Sequence, residues 1–297
     1  MIKIEVPATT TNFGSGFDTF GLSLHLSNIF FVEFSEEFTV EVSGYKSGIP
    51  ENENNLFIKV YKRVCEKIGE VPKPIKLLQE NNIPPARGLG SSATAIVGAI
   101  EGTLALFNKR ISLEDKIEIA FEFEPHPDNI IPALVGGFTV CATSETGVLF
   151  KKLDFPEELK LVFVIPDYKV PTSEARRVLP GAIKLKDTIF NVQRSALFVS
   201  ALLTRDYELL REAVKDKIHQ IYREELVPGL GKAIEESYKK GALATFLSGA
   251  GPTICSIVLE NGEDIGERIK EIVENASGHS AQVKILKAMN TGVKVFS

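Results

Sequence analysis

The residues best placed to do chemistry are Pro84-Pro85-Ala86-Arg87-Gly88-Leu89-Gly90-Ser91-Ser92-Ala93-Thr94-Ala95, a glycine-rich loop that runs straight into an Ala-rich helical pattern. Gly88 and Gly90 let the backbone approach an anion closely. Ser91 and Ser92 fall where the helix begins, so their N–H groups have no intrahelical acceptor, and the helix dipole adds partial positive charge there. Together these features make a phosphate site, and the hydroxyls are able to meet a phosphate oxygen or Mg2+. Other readings compete. Gly88 to Ala93 fits the G-x-G-x-x-A dinucleotide fingerprint, but that fingerprint needs a strand directly before it and an acidic strand end about 20 residues later. Here Pro84-Pro85 intervenes and the residues near 110–115 open a helix. A Walker A loop is excluded because no Gly-Lys-Ser/Thr follows. The plainest reading is a serine N-cap with glycines serving a tight turn.

Around this loop the patterning predicts mixed elements. Ile2–Val6 alternates as a half-buried strand does, and so do residues 28–34 and 38–42. Residues 54–68 carry Leu56, Val60, Val64 and Ile68 at helical spacing. A strand is predicted over 73–79, helices over 91–107 and 113–123, and a strand over 136–143 after Gly136-Gly137. Asp154-Phe155-Pro156-Glu157-Glu158 reads as a surface connection, which sets a division into domains 1–155 and 156–297. Beyond it come a strand at 159–166, helices at 173–179, 185–204, 206–213 and 230–240, strands at 244–247 and 253–259, a helix at 264–275 and a strand at 282–287. That order suits an α+β sheet with helices on one face.

The 297 residues carry 34 Lys+Arg against 39 Asp+Glu, a net charge of −5. The acidic balance argues against nucleic acid or an anionic membrane as the main partner. Cys65, Cys141 and Cys255 form no C-x-x-C pair, and His25, His219 and His279 show no ligand spacing, so no zinc site is expected. The N-terminus has no apolar signal region, and residues 93–107 are too short to span a bilayer. A soluble protein in a reducing, cytoplasmic compartment is the expectation.

Pro85-x-x-Gly88-Leu89-Gly90-Ser91-Ser92-Ala93 resembles the ATP-binding motif of the GHMP small-molecule kinases. Two more of their motifs follow the expected order, Pro7-Ala8-Thr9-Thr10-Thr11-Asn12-Phe13-Gly14-Ser15-Gly16-Phe17-Asp18 and Ser248-Gly249-Ala250-Gly251-Pro252-Thr253. Within that superfamily the chain resembles the homoserine kinases. The N-terminal motif takes their form, as do His126-Pro127-Asp128-Asn129, Thr172-Ser173-Glu174-Ala175-Arg176, and Asp216-x-x-His219-Gln220-x-x-Arg223. The resemblance implies phosphoryl transfer from ATP to L-homoserine, giving O-phospho-L-homoserine on the way to threonine. It implies a two-domain α+β fold, ribosomal S5 domain-2-like in the N-terminal half and ferredoxin-like in the C-terminal half, and a homodimer.

Roles follow from the resemblance and the chemistry together. Pro85, Ala86, Arg87, Gly88, Leu89, Gly90, Ser91, Ser92 and Ala93 are expected to hold ATP. Ser92 and a glutamate ahead of His126 are expected to hold Mg2+, with Glu124 first and Glu122 next, since Mg2+ takes one or two protein carboxylates beside phosphate. Homoserine is a zwitterion. Its carboxylate calls for the planar forks of Arg176 and Arg223, and its ammonium for Asp18. Thr172 and His126 complete the substrate site, and Asn12 and Asn129 are placed to meet the reacting hydroxyl. Asp128 is either a base or a brace for its loop. The rivals are another kinase of the superfamily with a different alcohol, and an inactive ligand-binding relative. The arginines argue against the first, and Ser92, Asp18 and Asn129 against the second.

Overall fold

The computed structural model describes residues 1–145, 147–260 and 262–296. Its first sheet is built on two long strands, β1 (Ile2–Thr11) and β2 (Phe20–Phe34), paired antiparallel. The far half of β2 pairs with β4 (Ile75–Asn81), which runs parallel to β3 (Thr39–Gly44). The near half of β2 pairs with β5 (Phe138–Ser144), and β5 with β6 (Gly147–Leu153). Against this sheet lie α1 (Leu56–Lys67), α2 (Ser91–Leu106), α3 (Leu113–Phe121) and α4 (Pro127–Val135). Helix α2 is buried almost all round, from Ala93 to Leu104. Its run of Ala, Gly and Ile lets it sit close against both the sheet and α1, as a helix apolar on every side must.

The second sheet is antiparallel, in the order β10 (Ala281–Leu286), β7 (Lys160–Pro166), β9 (Ile254–Val258), β8 (Ala244–Leu247). It carries α9 (Leu230–Lys239) and α10 (Glu263–Ser277). Helices α5 (Thr172–Arg177), α6 (Leu185–Thr204), α7 (Leu210–Ala213) and α8 (Gln220–Arg223) bridge toward the first sheet. The chain crosses between sheets over residues 154–159. Its end then departs from the expected 156–297 unit, because β11 (Lys294–Phe296) returns to pair with β1.

Three differences from the sequence expectations have physical reasons. Strand β2 begins at Phe20, well before the expected residue 28, because residues 20–24 are buried on both faces and show no alternation. Helix α4 was masked by Pro127 and Pro132. Pro127 sits at its first position, where a missing N–H costs nothing. The residue types of β6 do not alternate apolar and polar, although their burial does, and the strand lies at an edge, paired only with β5.

Candidate active site

A cleft opens where β1 ends, lined by the glycine loop, the N-termini of α2 and α4, α5, α8 and the β8–β9 turn. The glycine loop reaches it in a strained form that glycine makes possible. Gly88 and Gly90 have φ of 77° and 69°. A Cβ at Gly88 would stand 2.1 Å from the Ser248 carbonyl oxygen, and one at Gly90 2.0 Å from Thr9 Oγ1. Gly90 itself caps α2, in place of the serine cap weighed above, and leaves Ser91 and Ser92 facing the cleft. The loop is held from behind. Ser248 Oγ donates to Gly88 O (2.6 Å) and so accepts from Thr10 Oγ1 (2.8 Å).

Of the loop residues expected to meet nucleotide, Ala86 and Gly88 through Ala93 line this cleft. Pro85 and Arg87 line a neighbouring cavity with Asp167 and Lys169. Arg87 is committed there: its Nε donates to Pro166 O (2.8 Å), Nη1 to Pro85 O (3.3 Å) and Nη2 to Asp167 (3.1 Å). The acidic stretch also sorts itself. Glu124 lines the cleft and touches His126 Nδ1. Glu122, the alternative metal ligand, is turned outward into a two-pronged pair with Arg63 (2.7 Å each), and Glu118 pairs with Lys67. Helix α3 ends at Phe121, and the turn that follows separates Glu124 from the outer face.

The side of the cleft expected to meet substrate is a set of opposed charges around one ring. Arg176 Nη2 donates to Asp18 at 2.7 Å. The guanidiniums of Arg176 and Arg223 lie 5.4 and 5.2 Å from the Phe17 ring centre, and the His219 ring stacks on Phe17 at 5.0 Å. Arg223 is 2% exposed and largely spent on protein: Nε donates to Ala175 O, and Nη1 to Gly249 O and His219 Nδ1. It cannot clamp a carboxylate with two prongs, as expected from sequence, and has only Nη2 to offer. Burial, and then Arg176 nearby, lowers its pKa to about 10, so it stays cationic at neutral pH. His219 accepts from Arg223 on Nδ1 and therefore donates from Nε2 to Gly14 O (2.9 Å); burial lowers its pKa and keeps it neutral. Two buried polar atoms in the cleft, Arg176 Nε and Thr11 Oγ1, have no hydrogen-bond partner among the described residues.

Asn12, expected at the hydroxyl, has its amide engaged at both ends. Its Nδ2 donates to Gly249 O (3.0 Å) and its Oδ1 accepts from Asp18 N (3.0 Å), so it shapes the turn that presents Asp18. Asn129 Oδ1 accepts from Thr9 Oγ1 (2.8 Å), which leaves its Nδ2 only a long contact to Asp128 (3.4 Å). Asp128 is buried, and burial followed by the nearby Asp18 charge raises its pKa to about 7, with His126 opposing. His126 is itself pushed up by Glu124. Thr172 stands on the rim. Sequence reasoning passed over Phe17, and set His219 aside for want of ligand spacing. The spacing Asp216-x-x-His219-x-x-x-Arg223 was the available sign: Asp216 accepts from the backbone of His219 and Gln220 and so fixes the short helix that aims Arg223.

The fold and this cleft define the class: the chain belongs to the GHMP kinases. Residues 55–137 match the family described as GHMP kinases N terminal domain, and residues 198–277 the GHMP kinases C terminal. Over 297 residues, all of both chains, it is 70% identical to the homoserine kinase of Aquifex aeolicus (strain VF5). It is 44% identical to that of Persephonella marina, over 99% of this chain and 98% of the other. A crystal structure of homoserine kinase from Cytophaga hutchinsonii matches with a TM-score of 0.86 at 26% identity, covering 99% of this chain and 97% of that one. Within the GHMP kinases, the chain belongs to the homoserine kinase family.

Proposed function

We propose that this enzyme transfers the γ-phosphoryl group of ATP to the hydroxyl of L-homoserine, giving O-phospho-L-homoserine for threonine synthesis. The decisive feature is a zwitterion-sized set of opposite charges, Arg176 against Asp18, facing the glycine loop across one cleft. In the free enzyme these two side chains neutralise each other. A bound amino acid replaces that pair with two, its carboxylate on Arg176 and its ammonium on Asp18. The unpartnered Arg176 Nε supports this, since a carboxylate gives a buried donor the acceptor it lacks. Arg223 adds fixed positive charge from behind.

ATP phosphates lie against Gly88–Ala93 and the positive end of α2. Ser92, exposed and without a hydrogen bond among the described residues, and Glu124 suit Mg2+, which takes few protein ligands when phosphates supply the rest. When bound, Mg2+ supplies charge neutralisation on the transferring group. Asn129 orients the hydroxyl. Asp128 takes its proton: this buried carboxylate stands beside Asn129 Nδ2 (3.4 Å), with the Thr11 hydroxyl and His126 close enough to oppose the rise in its pKa, and is poised near neutrality. Among the described residues no helix is long and apolar enough to cross a membrane, and we place the enzyme in the cytoplasm with no nucleic-acid partner.

A panel of alcohols with Mg2+-ATP tests the substrate, and Arg176→Ala tests the site. Wild type should turn over homoserine and largely ignore mevalonate, galactose and 3-amino-1-propanol. Losing one partner of a charged pair costs about 2–5 kcal/mol, so kcat/KM for homoserine should fall roughly 30-fold or more in Arg176→Ala, with ATP affinity little changed. A variant that kept the full preference for homoserine over 3-amino-1-propanol would place the carboxylate elsewhere.

A further inference from the structure

Strand β1 ends in three buried threonines, Thr9, Thr10 and Thr11. Side chains alternate along a strand, so Thr10 faces one way and the other two the opposite way. Two of the hydroxyls are partnered: Thr10 Oγ1 meets Ser248 Oγ (2.8 Å), and Thr9 Oγ1 donates to Asn129 Oδ1 (2.8 Å). The third, Thr11 Oγ1, is buried at the cleft with no hydrogen-bond partner among the described residues. A buried hydroxyl left so costs the fold stability.

Thr11 lies beside Asp128. It pairs with Gly21 of β2, and the first turn of α4 rests on that glycine: a Cβ at Gly21 would stand 2.0 Å from the Asp128 carbonyl oxygen and 2.8 Å from the Pro132 ring. On another side the β8–β9 turn packs against Thr11, with Gly249 N donating to the Thr11 carbonyl (3.3 Å) and a Cβ at Gly249 standing 3.4 Å from Thr11 Oγ1. One face of β1 therefore offers a threonine to each of two successive residues of α4, Thr9 to Asn129 and Thr11 to Asp128. The Thr11 hydroxyl is near enough to oppose the rise in the Asp128 pKa, yet no hydrogen bond between them is formed in the free enzyme.

We propose that Thr11 is a positioning residue for phosphoryl transfer, its hydroxyl donating to the Asp128 carboxylate while the substrate hydroxyl engages it and accepting from Asp128 once the proton has arrived. This rests on the reading of Asp128 as the base. In the transfer the homoserine oxygen bonds to Pγ as the Pγ–O bond to ADP breaks, and the hydroxyl proton passes to Asp128. The carboxylate begins the step able only to accept hydrogen bonds and ends it as an acid with one donor of its own. The Asn129 amide beside it, 3.4 Å away through Nδ2, only donates and so favours the ionised form alone. A hydroxyl serves both forms by turning about one bond. Thr11 can turn because nothing else among the described residues holds its oxygen.

Steady-state kinetics with homoserine and Mg2+-ATP test this, beside urea midpoints of the same proteins. Thr11→Val keeps the branched shape that a strand favours and removes only the hydroxyl. It should lower kcat roughly 10-fold or more with KM for both substrates little changed. Its urea midpoint should hold or rise, because an unpartnered buried oxygen is gone. Thr11→Ser, which restores the hydroxyl, should recover most of kcat. In an Asp128→Asn background, Thr11→Val should lower kcat no further, since the group it acts through is already lost. Wild-type kcat in Thr11→Val beside a crippled Asp128→Asn would overturn the role of Thr11 and leave the base standing. So would a fall in kcat that comes with a lower midpoint and is not recovered by serine, or the same fall in the Asp128→Asn background. Near-normal turnover in Asp128→Asn alone would overturn the base, and this proposal with it.

Discussion

Burial sets the proton affinity of Asp128, and its neighbours decide what that affinity is for. Its carboxyl titrates near 7 in the folded chain and near 4 when unfolded. The folded state therefore holds the proton more tightly, and this group's contribution to stability falls as pH rises from about 4 to about 7. Asp128→Asn removes that loss, so the variant should gain stability relative to wild type across the same window, read as the difference in urea midpoints. Its activity should move the other way. If the carboxylate takes the hydroxyl proton, wild-type kcat/KM for homoserine rises through about pH 7, and Asp128→Asn lowers kcat by roughly 10²-fold or more and flattens the rise. His126 also titrates, with Glu124 holding its pKa above the ordinary histidine value, so the rise must vanish in the asparagine variant to belong to Asp128. An asparagine variant with near-normal turnover would make Asp128 a brace.

At the scale of elements, the cleft is made where turns from distant parts of the chain lock together. The β8–β9 turn contributes no charge, yet Ser248 donates to the Gly88 carbonyl and receives the Thr10 hydroxyl, which joins the second sheet to the glycine loop and to β1. Ser248→Ala leaves the buried Thr10 hydroxyl and Gly88 carbonyl without this partner, at a cost of about 1–3 kcal/mol. Calorimetry should find weaker ATP binding, with homoserine binding much less affected; unchanged ATP affinity would mean the loop keeps its shape unaided. Much of this scaffold was legible in the sequence. The helix over 56–67 declares itself by periodicity, the one over 91–106 by its Ala-rich run, and the glycine loop by its position ahead of that run. Which glutamate faces the cleft was not legible, because it depends on Arg63 of α1 capturing Glu122 across a tertiary contact. Arg223 was found by its motif, but its loss of free donors depends on the carbonyls of Ala175 and Gly249, far away in the chain. Helix α4, which presents Asp128 and Asn129, was hidden by its own prolines.

The whole molecule has two sheets but shares a core between them. Phe13, at the turn after β1, lies 4.6 Å from Phe246 of the second sheet, 5.5 Å from Phe138 of the first and 5.3 Å from Phe198 of α6, measured between ring centres. These rings belong to one cluster with Phe20, Leu161 and Phe163, so neither sheet can expose its inner face without opening the other. The return of β11 to β1 after the second sheet is complete adds a second crossing of the chain. The two sheets should therefore unfold together. Two buried thiols report on them separately, Cys65 in the core under the first sheet and Cys255 in the second sheet beside Phe163. In a denaturant series with pulsed thiol labelling and mass analysis of the peptides, both cysteines should become reactive at the same midpoint. Phe13→Ala should lower that shared midpoint by the equivalent of about 3–5 kcal/mol, the usual range for a buried phenylalanine, and should also weaken homoserine binding, because Phe13 sits between Asn12 and the Gly14 carbonyl that holds His219. If Cys255 is labelled well before Cys65, the shared cluster does not couple the sheets. The cleft between them would then owe its geometry to the local turns alone, and Phe13→Ala should leave the midpoint for Cys65 where it is in wild type.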